Sequence, residues 1–231
     1  MNQKEFDSVL LLLAGQGDPA KAAQIAGYLS AMVTDSKHQE PKQPEQPELP
    51  DGIYLVFGDG KAPFIYEFYI PGQVTEAQKQ LCTGVAVKLG GKSICVSLFD
   101  MARGEEITLT ASKDTTDWDG YKDNALDAGA DWDGKGNTEH LKAVGLNPEI
   151  NLLGGQFIPS VAQWRFICLF RKELNQALAE LGGDELTGWY WTSTEYSATY
   201  AWGLTLSSGD MGSLTKASTR NRVRAVSAFI S

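Results

Sequence analysis

Between His38 and Pro50 the chain reads HQEPKQPEQPELP. Four prolines in this short stretch fix φ near −65° and remove four backbone donors, so neither a helix nor an inner strand can form there. The intervening Glu, Gln and Lys side chains cannot bury a core. The stretch is therefore an extended, solvated linker. It divides the 231 residues into a short segment 1–37, the linker 38–50 and a main part 51–231.

The short segment predicts two small helices. Asp18-Pro19 supplies an N-cap followed by proline at the first helical position. Ala22, Ile25, Ala26, Leu29 and Val33 then recur at helical spacing, and Phe6, Val9, Leu10 and Leu13 offer a matching face. So small a pair buries little surface by itself, and it is expected to pack on another body. That body is the main part of the chain, another copy of the chain in a homo-oligomer, or a larger assembly such as a virion, docked through residues 1–37. The run Leu10–Leu13 is too short for a membrane span and lacks the basic start of a leader, so neither export signal nor membrane insertion is expected.

After the linker the texture changes to strands and turns. Ile53 to Phe57 and Phe64 to Ile70 are rich in β-branched and aromatic residues around Gly58-Asp59-Gly60. Gly84 to Leu89 and Ser93 to Leu98 flank Gly90-Gly91, a two-residue hairpin turn. One long helix is expected from Ser160 to Leu181. Ser160 with Gln163 makes a capping box, Trp164, Ile167, Cys168, Leu174, Leu178 and Leu181 form the buried stripe, and Gly182-Gly183 ends it. Strands follow at Trp189 to Thr194, Tyr200 to Leu206, Met211 to Lys216 and Asn221 to Phe229, with Trp189 and Trp191 on one strand face. The class is α+β.

Charge and reactive groups exclude several functions. With 20 Lys and Arg against 29 Asp and Glu, the net charge is −9 and no basic run exists, which argues against nucleic acid and anionic lipid as partners. Cys82, Cys95 and Cys168 form no CxxC and are read as buried free thiols. Only His38 and His140 occur, so a histidine-rich metal site is not expected. Asp131-Trp-Asp133-Gly-Lys-Gly-Asn137-Thr-Glu139 has the look of a calcium loop, but Lys135 and Lys142 stand where oxygen ligands belong. A tight turn leading into a short helix capped by Asn137 or Thr138 is the expectation there. Neither Glu105-Glu106 nor Asp117/Asp119 sits in apolar surroundings suited to acid–base work, and no nucleophile has a neighbouring histidine. The chain is expected to be non-catalytic, without metal or cofactor.

The C-terminal stretch carries a recognisable pattern. Gly188-Trp-Tyr-Trp191-Thr-Ser-Thr-Glu195-Tyr196, Tyr200-Ala-Trp202 and Asn221-Arg222-Val223-Arg224-Ala225-Val226 resemble the end of a C-type-lectin-fold module of gut Bacteroidales and their phages. Thr192 replaces a serine and Ala225 a proline of that pattern. Gly84 to Met101, Asp131 to Leu141 and Phe157-Ile158-Pro159-Ser160 are similar to the same family in the same order, so the resemblance spans about 51–231. It implies a C-type lectin fold behind the helical segment. Several such proteins, phage tropism determinants among them, are variable targets of diversity-generating retroelements, which mutate adenines in a C-terminal cassette. The resemblance implies a receptor- or adhesin-type protein binding a protein or glycan on a cell surface, located on a phage virion or a cell surface. The Glu-Pro-Asn signature and cysteine pairs of calcium-dependent sugar lectins are absent. One alternative is a structural surface or pilus-tip subunit with a fixed ligand. Another is an enzyme of the formylglycine-generating type, whose chemistry needs a late cysteine pair, and no cysteine follows Cys168.

The expected ligand face is made by Tyr200, Gly203, Thr205, Ser207, Ser208, Asp210, Gly212, Ser213, Leu214, Thr215, Ala217, Ser218, Thr219 and Asn221. An asparagine codon ending in cytosine, changed at its adenines, reaches all of these residue types. It cannot reach Trp, Met or Lys, so Trp202, Met211 and Lys216 read as fixed scaffold. Gly203, Thr205 and Ser207 alternate with Trp202, Leu204 and Leu206, which predicts one variable face and one packed face. The alternative is an ordinary polar outer sheet face with small turn residues.

Overall fold

The computed structural model describes residues 49–58, 65–113, 117–229. The expected N-terminal helices and nearly all of the linker lie outside the described residues. Residues 50–231 belong to one unit. Its class is α+β, as the strand and helix patterns require.

A six-stranded antiparallel sheet runs in the order β2-β1-β3-β4-β9-β5, from β1 (Gly52–Phe57), β2 (Ile65–Phe68), β3 (Cys82–Leu89), β4 (Lys92–Asp100), β5 (Gln156–Phe157) and β9 (Arg224–Ser227). The β3–β4 hairpin turns at Gly90-Gly91, where Gly90 takes φ +56. That left-handed value is costly for a residue with a Cβ, which is why glycine stands there. A second antiparallel sheet, β6-β7-β8, comprises β6 (Trp189–Glu195), β7 (Tyr200–Thr205) and β8 (Met211–Thr215). The last strand is shorter than the expected Asn221 to Phe229. The chain from Asn221 to Val223 is not a strand, and β9 crosses to the six-stranded sheet beside β4.

Among the described residues five α-helices pack around these sheets: α1 (Glu76–Leu81), α2 (Ala125–Ala130), α3 (Gly134–Val144), α4 (Val161–Leu169) and α5 (Arg171–Leu181). The capping box of Ser160 and Gln163 is formed. The single long helix is broken at Phe170, whose φ −114 and ψ 15 leave the helical region. The break lets each half bury its own face. Val161, Trp164, Phe166 and Ile167 are buried from α4, and Leu174, Ala177, Leu178 and Leu181 from α5. Cys168, placed in the stripe from sequence, is only half-buried, whereas Cys82 and Cys95 are buried; all three are free thiols. Burial pushes Cys95 up to about 12 and Cys168 up to about 11, so neither thiolate is accessible at neutral pH.

The cap of α3 is neither Asn137 nor Thr138. Asp133 holds that position, its Oδ1 accepting from the Gly136 amide at 2.9 Å. Asn137 and Thr138 are buried inside the helix instead, because its first turn abuts the start of α4. The Thr138 hydroxyl donates to the Gly134 carbonyl at 2.7 Å, and Asn137 Nδ2 donates to Asp131 Oδ2 at 2.6 Å. Asp131 also accepts from the Asp133 amide at 3.0 Å and the Thr194 hydroxyl at 2.6 Å. The acidic motif is thus a joint between α3, α4 and β6.

Two apolar clusters result. The larger lies between the six-stranded sheet and α4–α5, with Leu55, Val85, Val96, Trp164, Ile167 and Leu178. The smaller holds Ile107, Leu109, Leu141, Ile150, Trp191, Ala201 and Val223. The three-stranded sheet stands between them: Tyr190, Trp202, Leu204 face the first cluster and Trp191, Ala201 the second. Among the described residues no helix is long and apolar enough to cross a membrane.

Candidate functional site

The C-terminal hairpin is built on β7, the central strand of the small sheet. Tyr200 pairs with Thr215, Ala201 with Leu214, Trp202 with Ser213, Gly203 with Gly212 and Leu204 with Met211. The expected open face does not occur on β7. From Ala201 to Thr205 every residue is buried, because the smaller cluster covers the side that was to vary. Gly203 shows the reason most directly. A Cβ there would lie 2.7 Å from Leu214 Cδ1 and 3.3 Å from Asn221 Nδ2. Asn221 is itself buried, and its Nδ2 lacks a hydrogen-bond partner. Gly203, Thr205 and Asn221 therefore lie beneath the surface, and Leu214 packs half-buried on the smaller cluster.

The remaining expected residues fall into two patches and an edge. At the β7–β8 turn, Ser207, Ser208 and Asp210 are exposed around Gly209, which takes φ +78. The Ser208 hydroxyl donates to Asp210 Oδ2 at 2.5 Å. At the opposite end, Tyr200 is 39% exposed beside Thr215, whose hydroxyl lies 2.5 Å from Ser218 Oγ and 2.9 Å from Thr219 Oγ1. Ala217 joins Thr215 and Ser218 in lining a cavity of about 200 Å³ with Thr110, Lys113 and Thr199. At about 3.3 Å per residue the five steps from Tyr200 to Thr205 separate the two patches by roughly 17 Å. Gly212 and Ser213 lie between them on the outer strand β8, and no atom stands within 4 Å of a Cβ built at Gly212.

Beneath the Tyr200 end runs a buried charged chain that the sequence did not reveal. The Lys216 ammonium meets Glu195 Oε1, with side-chain exposures of 1% and 0%. His140 Nδ1 lies 2.5 Å from Glu195 Oε2. The His140 ring stacks on Trp118 with centroids 3.9 Å apart and planes 10° off parallel, and Tyr121 meets Trp118 edge-on at 5.5 Å. Gly120 is required by this stack, since a Cβ there would fall 2.2 Å from the Trp118 ring. Lys122 pins the loop to the small sheet: its amide donates to the Glu195 carbonyl at 2.9 Å, and its carbonyl accepts from Trp202 Nε1 at 2.8 Å. Asp117 and Asp119 thus flank a folded aromatic turn. Glu195 follows Thr192, Ser193 and Thr194 and precedes Tyr196 and Ser197, so no local apolar pattern marks it as a buried carboxylate.

The residues read as scaffold are packed. Trp202 and Lys216 are buried, and Met211 is half-buried with its sulfur 3.2 Å from an Arg165 guanidinium nitrogen. Trp191 is buried and donates to the Ile107 carbonyl at 2.8 Å, but Trp189, at the start of the strand, is 38% exposed. Sharing a strand face did not give these two tryptophans equal burial. Arg224 binds Asp100 through Nε and the Ser97, Leu98 and Asp184 carbonyls through its outer nitrogens. Tyr190 Oη donates to Asp100 Oδ2 at 3.0 Å. Burial raises Asp100 above the usual carboxylate range against the pull of Arg224, and it pushes Tyr190 up to about 12. Among the described residues no group of three His, Cys, Asp or Glu side chains is placed to hold a metal ion.

No protein-family model matches the chain, and no curated protein matches it.

Proposed function

We propose that the chain is a non-catalytic, receptor- or adhesin-type binding protein with a C-type lectin fold, and that its ligand meets the exposed ends of the β7–β8 hairpin. The observation that carries this reading is the division of labour within one segment. Trp202, Leu204 and Lys216 are buried, while small polar residues and Tyr200 occupy the exposed turn and the far end. A rigid base with short Ser, Thr and Asp side chains and an aromatic anchor suits adaptable recognition. Two patches roughly 17 Å apart, at about 3.3 Å per strand residue, favour a macromolecular ligand, a protein or glycan at a cell surface. The residue types at the exposed positions are those that adenine mutagenesis of asparagine codons produces, which supports a diversified cassette. In that setting the protein sits on a phage tail or a cell surface.

The test uses the full chain, fluorescently labelled, on intact Bacteroidales cells. A strain that binds the wild type should no longer bind the Tyr200→Ala/Asp210→Ala/Ser218→Ala variant, whose thermal melting should match the wild type. Undiminished binding by that folded variant would place recognition elsewhere.

A further inference from the structure

A second concavity, which shares no lining residue with the hairpin, lies on the large sheet. Along β4, Ile94, Val96 and Leu98 point into the larger apolar cluster. Cys95, Ser97 and Phe99 alternate with them and so face outward. There they join Val56, Met101 and Leu153 around a cleft of about 560 Å³. That volume falls within the roughly 300–1,000 Å³ range of small-molecule sites.

Three features of the cleft go beyond an accident of the surface. Phe99 and Leu153 line it while 55% and 64% exposed, large apolar groups left in water around one opening. One wall is strained: Ala102 and Arg103 both adopt left-handed backbone, φ 50 and φ 56, although neither is glycine. The neighbouring Met101 amide holds that wall by donating to the Val223 carbonyl at 2.7 Å. Backbone strain of this kind gathers at ligand sites. The polar lining is fixed in advance, since Gln156 accepts from the Leu153 amide at 2.9 Å and donates to Ser97 Oγ at 3.2 Å.

Charge selects the ligand. Among the described residues two carboxylates line the cleft, Asp100 and Glu149, and no Lys or Arg does. Asp100 is occupied by Arg224 and Tyr190 on the core side. Glu149 is exposed, and among the described residues no cation pairs with it. We infer that this cleft binds a small amphipathic cation, its apolar body lying on Phe99, Met101 and Leu153 and its ammonium head meeting Glu149. The inference is independent of the hairpin face and stands or falls without it.

Octylammonium and octanoate, equal in chain length and opposite in charge, are the probes, titrated calorimetrically into the full chain. Octylammonium should bind saturably with one molecule per chain, and octanoate should bind more weakly or not at all. Glu149→Gln should weaken octylammonium about fivefold, the scale of one partly exposed ion pair, and leave octanoate no weaker. Leu153→Ser, at an exposed position, should weaken octylammonium while the melting temperature holds. Absence of saturable octylammonium binding, equal affinity for octanoate, or an unchanged affinity in Leu153→Ser would each overturn the assignment.

Discussion

Replacing Lys216 with methionine tests whether the chain of charges under the Tyr200 end is a coupled unit. Methionine keeps an unbranched stem of similar length and deletes the ammonium. The Lys216 and Glu195 side chains are 1% and 0% exposed, so solvent screens the pair very little. Removing one partner leaves the Glu195 carboxylate with His140 alone. Breaking a buried pair in this way costs about 3–5 kcal/mol, most of it the penalty of the stranded charge. His140 Nδ1 remains 2.5 Å from the carboxylate, which places the expected loss at the lower end, about 3 kcal/mol. In a domain of this size each kcal/mol moves Tm by roughly 2–4 °C, so a fall of roughly 6–12 °C is expected. The double variant Lys216→Met/Glu195→Gln strands neither charge and should recover at least half of the loss. Urea unfolding of the full chain, followed by circular dichroism, measures all three proteins. A Lys216→Met loss under about 1 kcal/mol, or a double variant as unstable as the sum of the singles, would refute the reasoning.

Gly203 and Gly212 face each other in the ladder but differ in surroundings. Gly203→Val should cost about 1–3 kcal/mol through collision with Leu214, and Gly212→Val should stay within about 0.5 kcal/mol; paired chemical-denaturation midpoints decide it, and equal costs would remove the distinction between buried and open hairpin positions. Glu180 supplies a pH test. The Tyr69 hydroxyl at 2.7 Å and the Gly72 amide at 3.0 Å hold its carboxyl below the usual value of 4.5. Its contribution is therefore fully present above pH 4.5 and fades as pH falls towards the depressed folded value. The stability advantage of wild type over Glu180→Gln, under about 1 kcal/mol for a partly exposed group, should shrink steadily as pH is lowered below 4.5; an advantage that stays constant or grows would contradict the assignment.

The large elements were legible because their signals are local. Period-two apolar runs with Gly90-Gly91 between them gave the β3–β4 hairpin, and the Ser160–Gln163 box gave the start of α4. The break at Phe170 was not legible. An apolar stripe tells which residues are buried, and two successive short helices with slightly different axes produce nearly the same stripe as one long helix. The cap of α3 was misplaced for a related reason. Asp, Asn and Thr all cap helices, and only the approach of Ile158 and Ser160 to Gly134 decides that Asn137 and Thr138 are inside.

The exposure of the expected residues was legible at the ends of the hairpin and not along its middle strand. Alternation of Trp202, Leu204 and Leu206 with Gly203, Thr205 and Ser207 correctly marks two faces, but periodicity cannot say whether the second face is covered. Here the cover is the smaller cluster, whose Ile107, Leu109 and Val223 come from segments without regular strand or helix and so leave no periodic trace. The covering chain is stitched to the hairpin by backbone bonds, the Ile107 amide to the Asn221 carbonyl at 2.9 Å and the Leu109 amide to the Lys216 carbonyl at 2.9 Å. That stitching has a consequence for any changing surface on this protein. Residues at Gly203, Thr205 and Asn221 can vary only with the packing beneath them, whereas Ser207, Ser208, Asp210, Ser213 and Ser218 can vary at little cost to the fold. Lys216 lies within the same segment and cannot vary freely at all, because its charge balances Glu195 in the interior. Diversity compatible with this scaffold is therefore confined to the two ends of the hairpin and its outer strand.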